Sequence, residues 1–186
     1  MLKNALHFVF WVYNINVSTE NITFVNAYTE RGDCMNIEKY TQNAQSAIVE
    51  CQNIAISEGH QMLDGEHLHM ALLQQKDGLI PKLLQYNKVD VSSVIADLQA
   101  ELEKLPKVSG AADNMYSSRR LSQLLMKAEK IAEQFKDEYV SVEHLYLALL
   151  DEKGTPSSRI FAKFGITKDN FLEALSKVRG NQRVTS

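Results

Sequence analysis

Residues 66–73, Glu-His-Leu-His-Met-Ala-Leu-Leu, return 77 positions later as residues 143–150, Glu-His-Leu-Tyr-Leu-Ala-Leu-Leu. The same shift superposes three further pairs, Ile54 on Ile131, Lys76 on Lys153 and Leu98 on Leu175. One ungapped shift that aligns this many positions is hard to obtain by chance, and an internal repeat marks a supersecondary unit that buries its apolar face against its neighbour. The chain therefore contains one unit used twice, at about residues 40–105 and 117–180.

Each copy carries the apolar periodicity of amphipathic helices. Apolar residues recur three and four positions apart in the second copy, at Leu121, Leu124, Leu125, Ala128, Ile131, Ala132 and Phe135. Three shorter helices follow in each copy, near 66–75, 79–86 and 91–105, and near 143–151, 157–164 and 168–179. The pattern predicts an all-α, eight-helix domain of two pseudo-twofold-related four-helix repeats, with no strand and with the long first helices packed against each other.

The start of the second helix has the same signals in both copies. Asp64 and Ser141 stand where an N-cap side chain accepts hydrogen bonds from free N–H groups of the first turn. Glu66 and Glu143 then fall in that first turn, where the helix dipole favours a carboxylate.

The first 34 residues do not match the repeat and are excluded from the predicted domain at 35–180. The codons of residues 30–34 can be read as a purine-rich element of the kind that places a ribosome before a start codon. The hypothesis is therefore that translation begins at Met35 and that residues 1–34 are translated upstream sequence. A signal peptide is the alternative, because residues 5–13 are apolar.

Composition narrows the function classes. A net charge of -3 without a basic stripe argues against nucleic acid as a partner. The apolar run near the N-terminus is too short to span a bilayer, so no membrane partner is expected. The two cysteines, Cys34 and Cys51, form no disulfide framework, which suggests a reducing, cytoplasmic location.

No constellation points to catalysis, a metal or a cofactor. None of the glycines begins a phosphate-binding loop, so this chain should not bind ATP. His67 and His69 are two positions apart on a helix and point to different sides, which is poor metal-ligand geometry even with His60 nearby. Cys51 lies on an apolar stripe and is interpreted as a buried small hydrophobe. No enzyme activity is therefore expected of this chain.

The residues with a potential binding role are carboxylates. Asp137 and Glu138 are expected to be exposed in the loop before Ser141, beside the apolar first helix of the second copy. Acids that flank an apolar groove suit an extended peptide, because backbone amides meet the acids while side chains enter the groove.

The repeat pair resembles the Clp N-terminal (Clp R) repeat domain. The resemblance rests on Gly59-His60-Gln61 and Glu66-His67-Leu68 in the first copy, and on the segment from Tyr139 to Leu145 in the second. The segments 35–41, 103–110 and 177–182 are similar to the ClpB-type disaggregases within this family. The resemblance covers residues 35–186, and residues 181–186 are expected to begin a linker to an ATPase module that this chain lacks.

The resemblance implies a mobile domain of a hexameric AAA+ ATPase that works with the DnaK system. The isolated domain is expected to be monomeric. Such a domain engages unfolded or aggregated proteins through an apolar groove. The residues implied in polypeptide binding are Thr41, Leu125, Asp137, Glu143 and His144. Thr41 fits a helix cap equally well, and Leu125 fits the core better than the groove. The alternative function is adaptor docking in a ClpC- or ClpA-type, protease-associated unfoldase.

Overall fold

The computed structural model describes residues 36–179, without the side chains of Asp113 and Asn114. The hypotheses on residues 1–34 and 181–186 lie outside the described residues. Eight α-helices follow one another in this part of the chain: α1 Gln42–Glu58, α2 Gly65–Gln74, α3 Leu79–Tyr86, α4 Val91–Leu102, α5 Arg119–Phe135, α6 Val142–Leu150, α7 Pro156–Lys163 and α8 Lys168–Arg179. Two short 3-10 helices, Ile37–Lys39 and Ala111–Asn114, precede α1 and α5. The predicted all-α fold of two four-helix repeats is confirmed.

The long first helix of each repeat begins at an N-cap hydroxyl. The Thr41 hydroxyl accepts from the Ala44 N–H at 3.3 Å, and the Ser118 hydroxyl accepts from the Leu121 N–H at 2.9 Å. These side chains satisfy amide groups that the first turn leaves free. Helix α4 ends at Leu102, earlier than the predicted Leu105.

Helices α2 and α6 form the centre of the domain. Residues 65–73 of α2 and 142–149 of α6 are all buried, so both helices are enclosed on every side. Helix α1 packs mainly on α2, α5 packs mainly on α6, and α2 contacts α6. The prediction that the two long helices pack on each other is therefore corrected. Short helices that are buried all round fill the space between the long ones.

The remaining helices are exchanged between the repeats. Helix α8 of the second repeat packs on α3 of the first, and α4 of the first packs on α7 of the second. These reciprocal contacts are those of a pseudo-twofold arrangement. Among residues 36–179, no helix combines the length and the apolar character that crossing a membrane requires.

The prediction of no strand is also corrected. Strand β1, Met62–Leu63, pairs in parallel with β2, Tyr116–Ser117, and Tyr40 forms a parallel bridge with Val140. The pairs Leu63–Ser117 and Val140–Tyr40 are equivalent under the 77-residue shift. Each short ladder ties the loop before the second helix of one repeat to the start of the other repeat. Strands of one or two residues carry no alternation that periodicity could detect.

Candidate functional site

The loop from Asp137 to Ser141 lies against the start of α1. The Thr41 N–H donates to the Val140 carbonyl at 2.9 Å, and the Val140 N–H donates to the Lys39 carbonyl at 2.7 Å. Lys136, between α5 and this loop, caps the end of α5 in the left-handed conformation with φ 59°. The two repeats therefore meet at this point through backbone hydrogen bonds.

Thr41 is the partly exposed member of the predicted site. Its hydroxyl caps α1, as described above, and a hydroxyl oxygen with a second lone pair can still accept another bond. The capping role is thus observed, and the binding role stays a prediction.

Asp137 is buried, which corrects the expectation that it is exposed; Glu138 beside it is exposed. The Ser141 N–H donates to His144 Nδ1 at 3.0 Å, which leaves the hydrogen of the neutral ring on Nε2. That nitrogen donates to Asp137 Oδ2, also at 3.0 Å. Burial lowers the pKa of His144, against the opposing effect of the carboxylates of Glu143 and Asp137. A neutral His144 therefore orients the Asp137 carboxylate.

His144 itself has no exposed surface. It sits at the third position of α6 and closes a capping box with Ser141. In this structure His144 can reach a ligand only through Asp137, so its place in the site is that of a positioning residue.

Glu143 and Asp137 share a guanidinium. Arg179, the last residue of α8, places Nη2 2.5 Å from both carboxylate oxygens of Asp137. Its Nη1 lies 3.5 Å from Glu143 Oε1. The side chains are 0% exposed for Asp137, 5% for Glu143 and 15% for Arg179, so the arginine covers both acids. Charge-assisted bonds of this kind are the strong class of hydrogen bond.

Leu125 lies on the buried face of α5, with 6% of its surface exposed. This burial agrees with the core interpretation of the residue. The structure thus brings Thr41, Asp137, Glu143 and His144 to one loop and its surroundings, while Leu125 contributes to the core.

The equivalent place in the first repeat is built differently. His67 Nδ1 accepts from the Asp64 N–H at 3.0 Å, and His67 Nε2 lies 2.9 Å from His60 Nδ1. His60 therefore stands where the second repeat has Asp137. Glu66 is paired with Arg120, which also donates to Asp64 Oδ1 at 2.8 Å.

Sequence reasoning missed both arginines. The counterpart of Arg120 in the first repeat is Asn43, and the counterpart of Arg179 is Leu102, which is fully buried. These departures from the repeat were visible as unequal pairs. Nothing in the sequence pattern showed that each arginine reaches a glutamate at the start of a second helix.

Residues 36–179 contain no group of three or more His, Cys, Asp and Glu side chains that could hold a metal. Cys51 is buried, as predicted. The cluster of Asp137, Glu143 and Arg179 offers charge and hydrogen-bond acceptors rather than a nucleophile with a base.

The model of the Clp repeat (R) N-terminal domain matches residues 39–183. The chaperone protein ClpB of Nitratidesulfovibrio vulgaris is 44% identical over 156 residues, which cover 82% of this chain and 18% of that protein. The ClpB proteins of Clostridium tetani and Bacillus anthracis are each 42% identical, again over 18% of their length. The chain thus spans about a fifth of the curated relatives that it matches.

Solved structures show the same fold. The N-terminal domain of Hsp104 from Candida albicans superposes with a TM-score of 0.71 at 26% identity, covering 80% of this chain and 96% of that one. The N-terminal domain of the Escherichia coli ClpV1 ATPase superposes with a TM-score of 0.67 at 18% identity, covering 86% and 95%. The second likeness is evidence for the fold alone. On the family match, the chain belongs to the Clp repeat (R) N-terminal domain family, and it is similar in sequence to the corresponding part of ClpB proteins.

Proposed function

We propose that this chain is the substrate-binding N-terminal domain of an ATP-dependent, cytoplasmic disaggregase and that it engages unfolded or aggregated polypeptides. The family membership and the identity to ClpB relatives support this proposal. The part of those relatives that this chain does not cover would contain the ATPase modules. That part would also form the hexamer and provide the link to the DnaK system. The proposed domain is 35–180, with the segment 181–186 leading into that remainder.

The proposed binding site is the loop from Asp137 to Ser141 together with Thr41. The observation that carries it is the meeting, at the junction of the repeats, of a partly exposed hydroxyl, two nearly buried carboxylates and a loop in which Glu138 is exposed. Hydroxyl and carboxylate oxygens accept hydrogen bonds from the N–H groups of an extended polypeptide. His144 would act by orienting Asp137, and Leu125 would support α5 from the core.

The test is an NMR titration of the isotope-labelled chain with permanently unfolded, reduced and carboxymethylated α-lactalbumin. We expect amide shifts around Thr41, Val140 and Glu143, with an affinity in the micromolar range or weaker, as for small transient interfaces. Folded α-lactalbumin serves as the control ligand and should cause no shifts.

A matched pair of variants separates binding from stability. Thr41→Val removes a hydroxyl at the proposed site, and Thr155→Val removes the equivalent N-cap hydroxyl of α7. We expect only the first variant to weaken binding. Equal affinities of the two variants, or shifts confined to other surfaces, would contradict the proposed site. Binding of a folded adaptor without any binding of the unfolded protein would instead support the protease-associated alternative.

A further inference from the structure

We propose that Arg179 is a built-in occupant of the polypeptide-binding site and that an arginine side chain of an incoming polypeptide takes its place. This inference rests on the proposed function and names the chemistry that the site selects. The ligand class is an unfolded segment that carries arginine among apolar residues.

The geometry of the occupied site suits a guanidinium. Two nearly buried carboxylates face one guanidinium, which contacts both oxygens of Asp137 and one oxygen of Glu143. A planar guanidinium with several donors satisfies such a pair better than the compact ammonium of lysine. A polypeptide that bound at Asp137 and Glu143 without replacing Arg179 would leave these acids with their present partner and could not reach them.

Arg179 lies at the end of its helix, beyond the residues that anchor α8 in the core. The buried residues of α8 are Phe171, Ala174 and Leu175, all before its last turn. Val178, next to Arg179, is 54% exposed. The last turn can therefore open without removing any of these three side chains from the core, and local opening is cheapest where few buried contacts are lost.

The two repeats supply the guanidinium at this place from different elements. In the first repeat Arg120 fills the equivalent place at Glu66, but it comes from the first turn of α5 and also binds Asp64. Arg120 is therefore a structural residue that stays in its place. At the site of the second repeat, the residue of α1 that corresponds to Arg120 is Asn43, and the guanidinium comes instead from the end of α8. Both glutamates thus bind arginine, but only the site at Glu143 has an occupant on an element that can move away.

Exchange of one arginine for another has a structural consequence. The incoming guanidinium restores the neutralisation of Asp137 and Glu143, while the last turn of α8 loses its anchor. Polypeptide binding is thereby coupled to opening of the end of α8. Because Arg179 competes with the ligand, its presence lowers the apparent affinity by the fraction of molecules in which the site is closed.

The experiment uses two unstructured peptides that are identical in apolar sequence and differ only in a central arginine or glutamine. Binding to the full chain is measured by NMR for the wild type and for Arg179→Gln. We expect the variant to bind the arginine peptide about tenfold more tightly than the wild type does, and the glutamine peptide with a change below about twofold. Lys177→Gln is the matched control, because it removes a charge from the same turn, where the lysine pairs with Glu173 on the surface.

Hydrogen exchange on the wild-type chain provides a second measurement that needs no variant. The arginine peptide should accelerate exchange of the amides in the last turn of α8, and the glutamine peptide should not. Binding at Thr41 and Val140 with unchanged exchange, or with equal affinity for both peptides, would overturn the inference and leave the proposed function standing. If the unfolded protein also causes no shifts at that loop, the proposed function itself fails.

Discussion

His144 holds Asp137 through a hydrogen bond of 3.0 Å, and His67 stands in the same relation to His60 at 2.9 Å, 77 positions earlier. Both histidines also accept a hydrogen bond from the backbone at the N-cap of their helix. The two bonds differ in one respect, because the second repeat orients a carboxylate that Arg179 contacts and the first orients a second imidazole.

Replacing these two histidines should therefore have unequal effects. Both variants lose the backbone hydrogen bond at the N-cap, but His144→Phe also removes a donor from the carboxylate of Asp137, whereas His67→Phe removes the partner of the neutral ring of His60. Loss of a hydrogen bond to a charged group costs about 1.5–3 kcal/mol, against about 1 kcal/mol for a neutral pair. Urea unfolding of both variants measures the difference. A larger loss of stability in His67→Phe would contradict the assigned roles.

The local signals in the sequence were sufficient to predict the positions of the helices. The N-caps Asp64 and Ser141 were predicted from residue type and position and are confirmed, as are the bounds of α3 and α8. Each of these features depends on neighbours within a few positions.

The burial of the site could not be predicted in the same way. Asp137 is covered by Arg179, which lies 42 positions away in the chain, and Glu66 is covered by Arg120, which lies 54 positions away. The central place of α2 was missed for the same reason. Its polar residues Glu66, His67 and His69 are buried because their partners are supplied by other elements.

The ion pairs of Arg120 should dominate the electrostatic stability of the first repeat. Arg120→Met leaves Asp64 and Glu66 without their guanidinium. Removal of one member of a fully buried pair costs about 3–5 kcal/mol, and this cluster, in which Arg120 is 26% exposed, should lose somewhat less. Arg159→Met is the control, since this arginine pairs with Glu101 and is 62% exposed. Its loss should cost less than about 1 kcal/mol. Thermal unfolding of both variants tests the contrast, and similar melting temperatures would show that the buried network contributes little.

A buried histidine should make the stability of the domain depend on pH. Burial lowers the pKa of His69 to about 3, and its ring lies among Ser157, Tyr146 and Phe161, with Glu66 beyond Ser157. The unfolded chain binds a proton near pH 6.5, well above the folded value. This contribution to stability is therefore complete above about pH 6.5 and is lost as the pH falls toward 3.

The slope of stability against pH measures this contribution. One proton taken up on unfolding changes the free energy of unfolding by about 1.4 kcal/mol per pH unit. His69→Gln keeps a polar partner for Ser157 but does not titrate, so it should reduce the slope between pH 6 and 5 by up to that amount. Tyr146→Phe alters the same contact and should leave the slope unchanged. Equal slopes in His69→Gln and the wild type would show that His69 is protonated in the folded state.

The ends of the two long helices offer a prediction from backbone geometry. Gly59 ends α1 with φ 75°, and its counterpart Lys136 ends α5 with φ 59°. A left-handed conformation costs a residue with a Cβ about 1–2 kcal/mol, part of which glycine gives back through the greater freedom of the unfolded chain. Lys136→Gly should therefore stabilise the domain by up to about 1 kcal/mol in urea unfolding. Lys130→Gly, in the middle of the same helix, should destabilise it by a similar amount. A loss of stability in Lys136→Gly would mean that the lysine side chain makes a compensating interaction at the start of the loop to Asp137.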